Sequence, residues 1–435
     1  MSEYEQRAYL KEGGQFIKYH MKIILTAIGT QGDIEPFLAV GRILKEKGHQ
    51  VICAFSEQFR ELTESNELEF ASLGRKLSDL HNSDAGKIAM GGGKGLKKIF
   101  AFIKLAINST DPNKEKETKL YELIKQERPD RVLYNSKTTY PIIWEYKNSG
   151  KTTFLSPFPY LHYVKGHSFL VFGKNYGDFF NKLTFKLYDF GAATAALNTK
   201  KWLQIEDKIK RTELKSIVHN RRFIYTISPS LFPRPDYWES NIKVLGHQAV
   251  KKKINWKPKK ELSEFIDKNE KILFVTFGSM NNPEPERKTK IILEILERNK
   301  IAAIINTASG GLVKPDNFNS DLIYFVSQIP YDWVFPKMYA VIHHGGSGTT
   351  HLALKYGCTT LIIPHFVDQF IWDEIISELG LGPKGIKISR ITHKNLEPKI
   401  LELLRNKSFK QRSEKIGSQL GKEDYKEELY NTIIE

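Results

Sequence analysis

An apolar run that turns abruptly into glycines and hydroxyls lies at Val341-Ile342-His343-His344-Gly345-Gly346-Ser347-Gly348-Thr349-Thr350. In this pattern a strand delivers an anion to a helix N-terminus. The glycines let the backbone come close, and Ser347, Thr349, Thr350 and exposed amides can bind phosphate oxygens. His344 adds a side-chain donor that titrates near neutrality in its ordinary state. Further on, the apolar run Thr360 to Ile363 ends in Pro364-His365-Phe366-Val367-Asp368-Gln369-Phe370-Ile371-Trp372. Its adjacent carboxylate and amide can accept and donate hydrogen bonds to neighbouring sugar hydroxyls.

A comparable turn stands near the start. Residues 22–29 read as a buried parallel strand ending at glycine, and Gly29-Thr30-Gln31-Gly32-Asp33-Ile34-Glu35-Pro36-Phe37 leads from it into a helix. Pro36 is expected early in that helix, where its missing N–H is harmless. Phe37, Leu38, Val40, Gly41 and Leu44 supply the apolar face, and Gly48 ends it. A strand from Gln50 to Phe55 completes a βαβ unit, the opening of a doubly wound sheet. Asp33 then sits at the carboxyl end of the first strand, where open α/β sheets bind ligands. Two uses fit it: general base or helix cap. Glu35 is the second candidate for a base.

Further strands are expected at 131–135, 152–156 and 223–227, while 84–125 and 154–190 read as poor regular elements. The second of these is crowded with phenylalanine and tyrosine, which suits an apolar pocket or ordinary core packing. After 247–260, a lysine-bearing linker, the strand 271–277 closes in Gly278-Ser279-Met280 and a second alternating series follows: helix 285–299, strands 301–305, 322–326 and 340–344, helix 347–356, strand 359–363. Residues 393–430 read as helical with polar interruptions.

Together these segments resemble the family 1 glycosyltransferases, in particular their sterol and natural-product branch. The resemblance rests on the His344 turn, the Asp368-Gln369 pair, Pro330-Tyr331-Asp332-Trp333-Val334-Phe335-Pro336, Phe277-Gly278-Ser279-Met280 and the Gly29 to Phe37 segment. It implies an α/β architecture of two doubly wound Rossmann-like domains facing across a cleft, the GT-B fold. It also implies an inverting, metal-independent transfer of a hexose from a UDP-sugar, with glucose expected and TDP as the alternative nucleotide. Asp33 would be the base. Gly278, Ser279, His344, Gly346, Ser347, Gly348, Thr349, Asp368 and Gln369 would hold the donor, and Gln31, Gly32 and Trp372 would lie on the acceptor side. Trp372 either covers the sugar or fills the core beside Phe366 and Phe370. His343, on the opposite strand face from His344, reads as buried and hydrogen-bonded. Two positions depart from plant members: Val326 stands where a tryptophan stacks on uracil, and Leu352 where a glutamate holds the ribose. No carboxylate cluster with magnesium spacing accompanies the phosphate turn, and no other cofactor is expected.

The implied layout is an N-terminal extension over 1–20, an acceptor-binding domain over 21–246, the linker over 247–260, a nucleotide-sugar domain over 261–410 and a C-terminal helix over 411–435 that returns to the first domain. Residues 1–20 lack a signal-peptide core and read as a disordered extension or the product of start-site choice. No run of eighteen apolar residues appears in the chain. Cys53 and Cys358 lie in apolar surroundings and read as buried reduced thiols, in keeping with a cytoplasmic setting. The net charge of +16 is carried mostly by lysine clusters. Solvated surface lysines account for it, with attraction to a membrane surface the next reading, because an apolar or lipid acceptor would reside there. Nucleic acid is not favoured as a partner. The competing classes are a nucleic-acid glucosyltransferase, a sugar-nucleotide epimerase, and a non-catalytic nucleotide- or lipid-binding protein, which would lack the base or the diphosphate residues.

Overall fold

A computed structural model describes residues 9–12, 15–18, 20–76, 109–249, 256–278, 280, 282 and 284–435. Before the first domain, β1 (Tyr9–Glu12) and β2 (Gln15–Lys18) pair antiparallel, within the stretch expected as a disordered extension or a product of start-site choice.

The first domain is built on a sheet of β3 (Lys22–Thr26), β4 (Gln50–Phe55), β5 (Glu69–Ser72), β6 (Arg131–Tyr134), β7 (Thr152–Ser156), β8 (Arg222–Tyr225) and β9 (Ile242–Val244). They run in the order β5-β4-β3-β6-β7-β8-β9, every neighbour parallel. Alternation along β3 explains why the strand is apolar throughout. Ile23 and Leu25 join one buried cluster and Ile24 the other, so both faces are covered. The second sheet comprises β10 (Leu273–Thr276), β11 (Ala303–Asn306), β12 (Ile323–Val326), β13 (Ala340–His343) and β14 (Thr359–Ile362), in the parallel order β12-β11-β10-β13-β14. In each sheet the strand order reverses once, between β3 and β6 in the first and between β10 and β13 in the second. Ligands of doubly wound sheets bind in the crevice that such a reversal opens at the strands' carboxyl ends.

Helix α1 (Gln31–Glu46) follows β3 and buries Ile34, Phe37, Leu38, Val40 and Leu44. It starts earlier than expected, at Gln31, which puts Pro36 in its second turn. The missing N–H of Pro36 therefore leaves the Gly32 carbonyl without its helical donor.

Two stretches expected to be irregular are helices. Part of the first is α2 (Thr110–Glu127), the remainder, up to residue 108, lying outside the described residues. Its sequence hides this because its inward positions include charge: Lys116 and Glu117 pair at 2.9 Å with almost no exposure. The Glu117 carboxylate then accepts the amides of Thr139 and Tyr140 at 3.0 and 2.9 Å, capping α3 (Tyr140–Lys147) from a distance. In the second stretch, α4 (Asp178–Trp202) carries apolar residues on inner and outer faces alike, which erases the helical period. Helix α5 (Arg211–Asn220) packs beside it.

Around the second sheet lie α6 (Lys260–Lys268), α7 (Pro285–Arg298), α8 (Ser347–Lys355), α9 (Val367–Glu378), α10 (His393–Arg405) and α11 (Lys407–Lys422). Within the linker, residues 250–255 lie outside the described residues. The boundary expected at 410 falls inside α11, which packs on α8 and β14 of the second domain. The return to the first domain is made by α12 (Lys426–Ile434), whose Leu429, Tyr430 and Ile433 are buried with Phe37 and Leu38. No helix among the described residues is long and apolar enough to cross a membrane.

Candidate active site between two sheet crevices

The crevice of the first sheet is occupied by an ion pair. Asp33 follows β3, Lys137 follows β6, and the lysine Nζ reaches Asp33 Oδ1 at 3.1 Å. The other carboxylate oxygen accepts the Thr30 amide at 2.7 Å and the Thr30 hydroxyl at 3.1 Å. Asp33 thus caps α1 as well as facing the crevice. Only glycine fits at position 29, where φ is +146° and a Cβ would lie 2.1 Å from Asp33 Oδ2. Nearby, Gln31 and Gly32 are exposed, and Gln31 donates to Glu35 at 2.7 Å. Lys137 was not anticipated from sequence, since nothing short-range links it to Asp33.

At the second crevice the same strand–turn–helix arrangement is left open. Gly346 stands at the N-cap of α8 and supplies no side-chain acceptor. The first-turn amides of Ser347, Gly348 and Thr349 therefore point outward without helical partners. Around Gly348 there is open space within 4 Å of where a Cβ would sit. His344 stands between the two turns of this crevice. A Cβ on Gly278 would lie 2.9 Å from its Cε1, and one on Gly346 would lie 2.4 Å from its Nε2. Burial pushes the imidazole down to about 4, so it is neutral at physiological pH, and Nδ1 has no hydrogen-bond partner among the described residues. Ser279 lies outside those residues. Thr350 is withdrawn from the phosphate set: it is fully buried and its hydroxyl donates to the Gly346 carbonyl at 2.9 Å. His343 is also buried, and its Nδ1 accepts the Gly345 amide at 3.0 Å, shaping the turn from behind.

The glycine turn is keyed to the Asp368-Gln369 segment. A Cβ on Gly345, at φ +94°, would lie 2.7 Å from Ile362 Cγ2 and 3.2 Å from Gln369 Cβ. Gln369 Oε1 accepts the amides of His365 and Phe366 at 2.7 and 3.1 Å, which caps α9 and leaves its amide nitrogen as the group with hydrogen bonds to give. Asp368 is half-buried, and loss of water together with the charge of Asp33 pushes its carboxyl up to about 7; the Lys137 charge opposes this. The Asp33 carboxylate of one domain and the Asp368 carboxyl of the other thus sense each other across the cleft. Behind them, Tyr331 of the Pro330 element shares a 2.8 Å hydrogen bond with Thr276, whose hydroxyl accepts the Gly278 amide at 3.1 Å. Val326 and Leu352 pack in an apolar cluster with Tyr331 and Trp333.

Trp372 does not face the cleft. It is completely buried, with its ring edge-on to His351 at 5.1 Å, so it fills the core and is removed from the acceptor-side set. His351 itself joins the domains: Nδ1 donates to the Ser347 carbonyl at 2.7 Å, which leaves Nε2 to accept the Ser228 amide of the first domain at 3.1 Å. Ser228 and Ser230 also donate their hydroxyls to Glu423, at 2.6 and 2.7 Å. Sequence reasoning missed this seam because its partners lie more than a hundred residues apart.

In the first domain a cavity of about 290 Å³ opens between the sheet and α4, lined by Tyr134, Ser136, Thr138, Ile142, Phe154 and Tyr188 among others. Ser136 and Thr138, which line it, flank Lys137 in sequence. Cys53 and Cys358 are buried and unpaired, and burial raises both thiols, as expected of inert side chains.

Two parallel doubly wound domains with an anion cradle on one and a carboxylate on the other define the GT-B class. Solved structures agree: CalG4, the calicheamicin glycosyltransferase, superposes with a TM-score of 0.69 at 14% identity over 95% of this chain and 98% of its own. The glycosyltransferase VinC in complex with DTDP gives 0.65 at 14% identity, over 95% and 100%. The glycosyltransferase family 28 N-terminal domain matches residues 23–119, and the erythromycin biosynthesis protein CIII-like C-terminal domain matches 307–435. Sterol 3-beta-glucosyltransferase UGT80A2 of Arabidopsis thaliana is 28% identical over 93% of this chain and 64% of its own length. A sterol 3-beta-glucosyltransferase of Kluyveromyces lactis is 26% identical over 92% and 33%. These likenesses support a glycosyltransferase similar to the sterol and natural-product branch of family 1. The chain spans less than two-thirds of the length of these curated relatives.

Proposed function

We propose that the protein is an inverting hexosyltransferase that moves glucose from UDP-glucose to a hydroxyl of an apolar acceptor of sterol or polyketide type. The observation that carries this reading is the pairing of an uncapped, anion-ready helix end in one domain with a carboxylate in the other, each at the reversal point of its sheet. The diphosphate lies on the first turn of α8, where amides and the helix dipole stabilise the departing charge. His344, neutral, donates from Nδ1. Asp368 and the Gln369 amide hold the sugar hydroxyls. Asp33 takes the proton from the acceptor hydroxyl as its oxygen bonds to the sugar anomeric carbon, and the bond from that carbon to the phosphate oxygen breaks, its electron pair leaving with UDP. One displacement inverts the configuration. In this reading the charge on the diphosphate is balanced by these protein groups.

The acceptor enters through the cavity beside Ser136 and Thr138. Relatives named as sterol 3-beta-glucosyltransferases support a sterol-like acceptor, and the neighbour solved with DTDP makes TDP-glucose the second donor to test. Mass spectrometry with UDP-glucose, UDP-galactose, UDP-glucuronate or TDP-glucose against sterols, flavonoids and lipid extracts, in EDTA, tests the whole reading. A gain of one hexose with EDTA present is expected. Measurable UDP binding with no transfer from any donor would favour a binding protein of this fold.

A further inference from the structure

Helix α4 has two apolar faces, and among the described residues the outer one stays largely exposed, with Arg211 over the Phe190 ring at 4.9 Å. Its inner face, through Tyr188, Ala192 and Ala195, walls the acceptor cavity. Its outer face presents Phe179, Leu183, Leu187 and Phe190 at helical spacing, joined by Phe180. Phe179 is 77% exposed and Phe180 59%, the two rings meeting edge-to-face at 5.3 Å. The preceding loop adds Val171, Phe172 and Tyr176, so eight of the twelve exposed large apolar side chains among the described residues lie between 171 and 190. Such concentration on one surface is foreign to a freely solvated face.

The charges around this patch select its occupant. Lys165, Lys174, Lys182 and Lys186 are exposed on the same segment, against the aspartates Asp178 and Asp189. Asp189 is engaged by His219 at 3.1 Å, Asp178 lies beside the Tyr163 hydroxyl, and Lys182 lies 5.1 Å above the Tyr163 ring. Apolar side chains rimmed by lysines, on a chain of net charge +16, complement an anionic lipid surface. We propose that the outer face of α4 and the 171–176 loop dock on an anionic bilayer, which places the wall of the acceptor cavity against the phase where an apolar acceptor is dissolved. This stands apart from the transferase reading, because docking needs neither donor nor acceptor.

The test is co-sedimentation of the full chain with phosphatidylcholine vesicles, with and without phosphatidylglycerol, in the absence of any nucleotide-sugar. Binding is expected only to the anionic vesicles, and to weaken with salt. Phe179→Ser with Phe180→Ser should weaken it at least about tenfold, and Lys174→Gln and Lys186→Gln about fivefold each, all with an unchanged melting temperature because the side chains are exposed. Equal binding by the phenylalanine variant, or no binding by the unaltered chain, would overturn the proposal. So would a dimer that this variant converts to monomer, which would make the face a contact between copies. Transfer to a detergent-dispersed acceptor, read in parallel, reports on the transferase activity independently.

Discussion

The two crevices are built alike and finished oppositely. Each has a strand, a glycine turn and a helix at the point where its sheet reverses. In the first domain the helix end is closed by its own carboxylate: Asp33 takes the Thr30 amide and a lysine besides. In the second, α8 has glycine at the N-cap and nothing closing it. A helix end that already holds a fixed negative charge repels phosphate, whereas an uncapped one attracts it. Under the proposed function this difference divides the labour between a proton acceptor and a leaving-group cradle, although the backbone is the same.

The division is broken most severely by exchanging the carboxylate. Asp33→Asn keeps an acceptor for the Thr30 amide but is a poor base, so kcat should fall by about a hundredfold to ten-thousandfold while UDP affinity is retained. Turnover that survives would assign the proton to another group. The second crevice answers in the opposite coordinate. His344→Ala should weaken UDP binding about tenfold, and Gly346→Ala should do likewise, because its Cβ would meet the imidazole at 2.4 Å. Gly348→Ala is the finer probe. Its Cβ meets nothing in the free protein and favours the helix, so thermal stability should hold or rise. A phosphate lying on that turn would still be displaced. Titration calorimetry showing unchanged UDP affinity in Gly348→Ala would move the diphosphate elsewhere.

Legibility in the sequence followed the same line. The cradle could be read because its parts are contiguous: His344 to Thr349 are consecutive, and Asp368-Gln369 follow one strand later. Even there, local reading put Thr350 outward and left Trp372 open between sugar and core, and packing turned both inward. In the first domain the positioning groups are scattered. Lys137 meets Asp33 from 104 residues away, and Glu117 caps α3 across 22 and 23 residues. The helix α4 that walls the cavity defeats periodicity by being apolar on two faces. Contacts of that kind depend on the folded sheet order, which composition does not encode locally.

Acid should separate the two halves of the molecule. His343 and His365 are pushed down to about 3, His344 to about 4 and His351 well below its ordinary value, all by burial in the second domain; His247, stacked on His351 at the seam, falls to about 4. In the first domain His162, at about 3, behaves this way. A histidine depressed in the folded state binds fewer protons there than when unfolded. Its contribution is intact above about 6.5 and is lost as pH falls from there toward 4 and 3, by up to about 1.4 kcal/mol per pH unit for each ring. Amide exchange at pH 5 should therefore loosen β13, α8 and the Ser228–His351 seam before the first sheet. Simultaneous loosening of both domains would dissolve the distinction.

The smallest effect tests whether the crevices act on one another. Asp368 owes its carboxyl value of about 7 first to burial and next to the Asp33 charge, with Lys137 pulling the other way. Removing the Asp33 charge should lower it, and removing the Lys137 charge should raise it. Both shifts are partial, because burial remains. The ionised form accepts hydrogen bonds from sugar hydroxyls at both oxygens, so the binding advantage of UDP-glucose over UDP should grow as pH rises through about 7 in the unaltered protein. That rise should move to lower pH in Asp33→Asn and to higher pH in Lys137→Met, while UDP alone, held by the amides of α8, shows neither shift. Opposite displacements from two substitutions in the same ion pair cannot come from a general loosening of the cleft, which would move both in one direction. A rise that stays fixed in both variants would mean that the carboxyl of the second domain titrates without sensing the first.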